Sequence, residues 1–94
     1  MKTGNHYGTV ASFFTYWTGP NWSVGQWNEI DVEIVPSVQR QNKSPFSTNL
    51  IYGDGHSSKR EEQAYEPMSH DWNAFHTYEI EWTPDYISWS VDGQ

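Results

Sequence analysis

The 94-residue sequence contains no cysteine. That excludes a disulfide framework, a cysteine-ligated zinc and thiol catalysis. Positive charge is scarce: five Lys and Arg stand against twelve Asp and Glu, for a formal net charge of −7. Lys43, Lys59 and Arg60 are scattered through polar stretches and form no stripe. So few bases cannot neutralise a phosphate backbone, and a nucleic-acid partner is not expected. No apolar run approaches the ~18 residues of a membrane span, and no stretch has the layout of a secretory signal peptide. Sustained 3.6-residue periodicity is missing too, as are internal repeats, low-complexity tracts and any domain boundary. What the chain does have is aromatic surface. Six Trp, six Tyr and four Phe make up 17% of a sequence that is only 35% hydrophobic. The combination suits a folded, acidic domain with a neutral or weakly polar ligand. Sugars fit that description, because aromatic faces stack on their C–H faces while carboxylates and amides bind their hydroxyls.

Period two dominates the pattern. It predicts strands over Gly8–Trp17, Trp27–Val35, Phe46–Tyr52, Ala74–Trp82 and Tyr86–Val91, with a further short one over Glu61–Tyr65. Turn-rich segments separate them: Thr18–Asn21, Pro36–Pro45, Gly53-Asp54-Gly55 and Thr83-Pro84-Asp85. The reading is all-β and antiparallel, part of a sandwich. Asp92-Gly93 is a strong two-residue hairpin signal, and only Gln94 follows it. The expectation is therefore an incomplete portion of a fold, with about half a sandwich present.

The informative segment is Trp27-Asn28-Glu29-Ile30-Asp31-Val32-Glu33-Ile34. Alternate side chains of a strand share a face, so Ile30, Val32 and Ile34 point one way as a core face. Glu29, Asp31 and Glu33 point the other, headed by Trp27. Three carboxylates in one row repel one another, and folding stability does not select such a row; chemistry does. Residues four apart on a strand have Cα atoms ~13 Å apart, and two Glu side chains leaning together bring their carboxyls to roughly 5–6 Å. A retaining glycosidase needs ~5–5.5 Å and an inverting one ~6.5–9.5 Å, so the spacing leans toward retention. Asp31, between the two, is placed to share a proton with one of them. Two blander readings compete. The acids could be a solvated outer face, or they could ligate a cation, although calcium loops converge their oxygens through turns rather than along a straight strand.

With those residues in view, the sequence resembles glycoside hydrolase family 16, and within it the bacterial 1,3-1,4-β-glucanases, or lichenases. The likeness rests on Glu29-Ile30-Asp31-Val32-Glu33 headed by Trp27, on Gly8–Tyr16 upstream, and on Phe75–Pro84 and Trp89–Gln94 downstream. The unbulged Glu-x-Asp-x-Glu spacing is shared with plant xyloglucan transferases and differs from laminarinases. Trp27, where the transferases usually carry His, favours the lichenases. The resemblance implies a concanavalin-like jelly-roll sandwich, with residues 1–94 as part of its catalytic domain, and hydrolysis by double displacement with retention. It matches Glu29 to the nucleophile, Glu33 to the acid/base and Asp31 to the assisting carboxylate. Trp27 matches the aromatic bordering the cleaved sugar, Phe14 and Tyr16 the cleft aromatics, and Asn49 an asparagine reaching substrate hydroxyls. From pattern alone, Phe14 and Tyr16 share one face that could line a groove or be ordinary core.

The resemblance further implies a β-glucan polysaccharide substrate, a secreted protein and no cofactor for the chemistry. A complete family domain carries a structural calcium near its termini; within this chain no metal ligands are expected. Histidines His6, His56, His70 and His76 show no metal-ligand spacing. His76 is expected to be a hydrogen-bonded core residue on the strand face of Tyr78, Ile80 and Trp82. Asn21-Trp22-Ser23 and Asn42-Lys43-Ser44 are glycosylation sequons, and His56 with Ser57 or Ser58 and Asp54 makes a poor triad without a nucleophile elbow. The alternatives are a catalytically incomplete carbohydrate-binding or assembly fragment, completed by self-association or by a complementary chain at its open strand edges, and another family member such as a laminarinase or a xyloglucan transferase.

Overall fold

The computed structural model describes residues 1–18, 27–41, 44–53, 60–65 and 70–94. The first sequon, Asn42 and Lys43 of the second, the His56–Ser58 loop, and most of the turns expected at Thr18–Asn21 and Gly53-Asp54-Gly55 lie outside the described residues. Among the described residues there are six strands: β1 (Ala11–Trp17), β2 (Trp27–Ile34), β3 (Phe46–Gly53), β4 (Arg60–Tyr65), β5 (Tyr78–Trp82) and β6 (Ile87–Val91). The first four form an antiparallel sheet in the order β1-β2-β3-β4, and β5 pairs with β6. There is no α-helix among the described residues. The chain is all-β and antiparallel, in line with part of a jelly-roll sandwich.

β-Branched and aromatic residues at alternate positions explain both sheets. Ile30, Val32 and Ile34 of β2 are buried on one face. Val32 and Ile34 form the core cluster with Phe46 at the start of β3, Val91 of β6 and Trp72, and Phe13, Tyr78, Ile80 and Trp89 pack around it. Trp72 is the aromatic hub, its ring stacked against Phe46 at 6.3 Å and Tyr78 at 6.5 Å between centroids. Packing is tight at this end of the core. Toward the other end the sheets part around a cavity of about 280 Å³, bordered by Trp17, Ile30, Leu50, Trp82 and Ile87.

Two strand starts differ from the sequence pattern by three residues or more, each for a local reason. β1 starts at Ala11 rather than Gly8, because Gly8 sits at φ 85° beside Tyr7 and the Thr9 hydroxyl donates to the His6 carbonyl at 2.7 Å. β5 starts at Tyr78 rather than Ala74. Residues before it are held in a turn, where Asp71 accepts the Asn73 N–H through its side chain at 3.0 Å and the Ala74 N–H through its carbonyl at 2.9 Å. Beyond β2, Pro36–Gln41 winds into a 3-10 helix within the expected turn segment. Proline suits the first position of a helix, where its missing N–H is no loss.

The Asp92-Gly93 turn forms as its sequence requires. Both residues have positive φ, 51° and 77°. Val91 and Gln94 exchange both backbone hydrogen bonds, at 3.1 and 3.0 Å. That is the geometry of a two-residue hairpin turn.

Candidate active site

β2 carries Trp27, Glu29, Asp31 and Glu33 on the face opposite the core, and the register fixes what flanks each of them. On β1, Tyr16 stands opposite Glu29, Phe14 opposite Asp31 and Ser12 opposite Glu33. On β3 the corresponding residues are Ile51, Asn49 and Ser47. Directly opposed side chains have Cβ atoms ~4.5–5.5 Å apart, so each carboxylate has a defined neighbour on both sides. All seven residues singled out in the sequence (Phe14, Tyr16, Trp27, Glu29, Asp31, Glu33 and Asn49) therefore share one face of one sheet.

Phe14 is 57% exposed and Tyr16 48%. These rings lie at the surface and not in the core. The middle of the face is drier: Asp31, Asn49 and Ser47 are all buried. A carboxylate is rarely buried for stability alone, because its lost hydration must be replaced by hydrogen bonds. Glu29 and Glu33 on either side are only partly buried.

Trp27 does more than border the row. Its indole Nε1–H donates to Glu29 Oε2 at 2.7 Å. The Tyr16 ring meets the Trp27 ring edge to face, with centroids 6.2 Å apart and planes at 81°. Hydrogen bonds to an ionised acceptor are the stronger kind. One oxygen of Glu29 is thus fixed by a group that is itself held by an aromatic contact.

A second polar centre lies away from this face. His76 is hydrogen-bonded but precedes β5 instead of sitting on it. Its Nδ1 is 2.7 Å from Asp92 Oδ2 and its Nε2 is 2.7 Å from the Asp71 carbonyl oxygen. Asp92 also accepts the Thr77 N–H at 2.9 Å. Two acceptors, one on each ring nitrogen, favour the imidazolium. The Asp71 carbonyl and then Asp92 raise the His76 pKa above its ordinary value. The Thr77 N–H and then His76 hold the Asp92 carboxyl below the usual range. The amino-terminal residue is bound here as well, its NH3⁺ donating to the His76 carbonyl at 2.6 Å.

His70, His76 and Asp92 bring one potential ligand atom each to within 4.8 Å of one another. Two imidazoles do not suit calcium, which takes oxygen ligands. Both His76 nitrogens are also engaged by the acceptors that make it a clamp.

One residue on the carboxylate face had no signal of its own in the sequence. Gln63 of β4 pairs with Asn49 and donates from Nε2 to Ser47 Oγ at 3.2 Å. Only the strand register, two strands from β2, reveals that it belongs to this face.

The model for glycosyl hydrolases family 16 matches residues 1–94. A β-glucanase of Fibrobacter succinogenes is 38% identical over 95 residues, covering 100% of this chain and 26% of that protein. A xylanase/β-glucanase of Ruminococcus flavefaciens is 38% identical over 94 residues, covering 100% of this chain and 11% of that protein. A β-glucanase of Bacillus amyloliquefaciens is 37% identical over 94 residues, covering 100% of this chain and 36% of that protein. The chain thus spans 11% to 36% of the length of these relatives. No solved structure matches it. With the family model covering every residue, and the carboxylate row at the centre of a flanked face, this chain belongs to glycosyl hydrolase family 16.

Proposed function

We propose that the protein carrying this chain is an endo-acting, retaining β-glucanase whose substrate is mixed-linked β-1,3-1,4-glucan. The observation that carries the reading is the single face shared by the three carboxylates and their aromatic and amide neighbours. Glu29 is the nucleophile. With Oε2 held by the Trp27 indole, Oε1 is left to attack the anomeric carbon. Glu33, as the carboxylic acid, gives its proton to the leaving oxygen while the glycosidic C–O bond breaks and the Glu29 ester forms. In the second step Glu33, now a carboxylate, takes a proton from water. The water oxygen bonds to the anomeric carbon, the ester breaks, and Glu29 leaves as a carboxylate. Two inversions give net retention.

Asp31 sits between the pair and can exchange a proton with either, which supports opposite protonation states in the two glutamates. Phe14, Tyr16 and Trp27 supply ring faces for sugar C–H surfaces, and Asn49 is the amide paired with Asp31 across the strands. The β-glucanase names of the relatives point the same way, and secretion fits an extended polysaccharide substrate.

The test is the Glu29→Gln variant assayed on lichenan, laminarin and xyloglucan beside the unmodified protein. The expected result is hydrolysis of lichenan in preference to the other two by the unmodified protein, and loss of that hydrolysis in the variant. Equal turnover by both proteins would reject the assignment.

A further inference from the structure

Two side chains of β4 face the carboxylates without a part in the displacement. Gln63 pairs with Asn49 and Tyr65 with Ser47, and those residues pair in turn with Asp31 and Glu33. Gln63 is exposed, yet its amide is anchored through Nε2–H to the Oγ of Ser47, a side chain wholly buried in the sheet. Long polar side chains on a surface ordinarily keep their rotamer freedom, and ordering one costs entropy. This one is held at the end that carries its chemistry. The amide still has its carbonyl oxygen and a second N–H. Neighbouring sugar hydroxyls each donate and accept, so an amide fixed in one plane can pair with two of them. Tyr65, partly buried on the same face, places a ring beside it.

β4 lies two strands from β2, roughly 9–10 Å at the usual strand spacing. That is beyond a sugar whose anomeric carbon sits over the carboxylate row. It is within reach of the adjoining part of a glucan chain running across the strands. The sequence of side chains across the sheet supports such a path: aromatic rings on β1, acids on β2, Asn49 on β3, then the Gln63 amide and Tyr65 ring on β4.

We propose that Gln63, with Tyr65 beside it, forms a saccharide subsite on β4 that binds hydroxyls of a glucan unit beyond the one at the carboxylate row. The proposal rests on the glucanase reading, and its test separates the two. Calorimetric titration of the Glu29→Gln protein with mixed-linked β-glucan oligosaccharides of increasing length gives Kd without turnover. Adding Gln63→Ala should weaken the longer oligosaccharides about tenfold, the size of one or two lost hydrogen bonds, and the shortest ones much less. Gln63→Met keeps the stem without the amide and should give the same loss. An unchanged Kd at every length in both variants would overturn the subsite and leave the glucanase reading standing. If the Glu29→Gln protein binds no oligosaccharide of any length, the glucanase reading fails and the subsite with it.

Discussion

Val32 and Ile34 of β2 are packed away from water in the central cluster and Ile30 is buried beside the cavity, while Glu29 and Glu33, one residue along, are only partly buried on the opposite face. Both sets sit on the same eight-residue strand and share its backbone geometry. What separates them is the alternation of side chains, and with it the selective reason for each residue. The apolar set joins two sheets. The acidic set adds mutual repulsion and a buried Asp31, neither of which helps folding. On the proposed reading stability and chemistry are carried by interleaved residues, and substitutions on the two faces should fail in different ways.

The largest effect on folding is expected from Ile34→Ala. The side chain is fully buried in the central cluster, and such truncations cost about 2–5 kcal/mol. Chemical denaturation should show the loss directly, with the glutamates untouched. A cost below about 0.5 kcal/mol would mean that the two faces do not differ as described.

Trp27→Phe acts on the other face and more gently. It keeps a ring beside the sugar and removes the N–H held by Glu29. A hydrogen bond to a charged group is worth about 1.5–3 kcal/mol, so kcat on lichenan should fall about 10- to 100-fold. The unfolding midpoint should move little. A shift in KM alone would assign Trp27 to sugar stacking only.

The smallest effect belongs to the clamp away from the site. The His76 pKa is raised on folding, so its contribution is complete below its unfolded value of about 6.5 and is lost as pH rises through the raised value. The Asp92 pKa is lowered, so its contribution is complete above its ordinary value of about 3.8 and is lost as pH falls through the lowered value. Thermal unfolding should therefore be most favourable to the native state between about pH 4 and 6.5. His76→Ala should flatten the decline above that window; an unaltered profile would remove the clamp from the account.

The comparison also shows what a sequence can disclose. The carboxylate row, its aromatic neighbours and the Asp92-Gly93 turn were legible because each depends on local alternation or on two adjacent φ angles. Asn49 was legible only through family resemblance. Gln63 was not legible, since its place depends on two successive strand registers. Trp72 as the core hub and the His76–Asp92 pair escaped for the same reason, their partners being far along the chain. The pattern puts the start of β5 at Ala74 because period two continues through Ala74–Thr77, whereas Asp71 and Asp92 capture the backbone and the His76 side chain there.

The central claim is that the acidic face of β2 serves chemistry and not folding. It is tested most directly by measuring lichenan hydrolysis and chemical unfolding on one preparation of Glu29→Gln. Glutamine keeps an acceptor for the Trp27 N–H and removes one charge from the row. The account predicts that hydrolysis falls by roughly 10³-fold or more, with stability equal to or above that of the unmodified protein. Retained hydrolysis, or a loss of activity that merely follows a loss of folding, would contradict it.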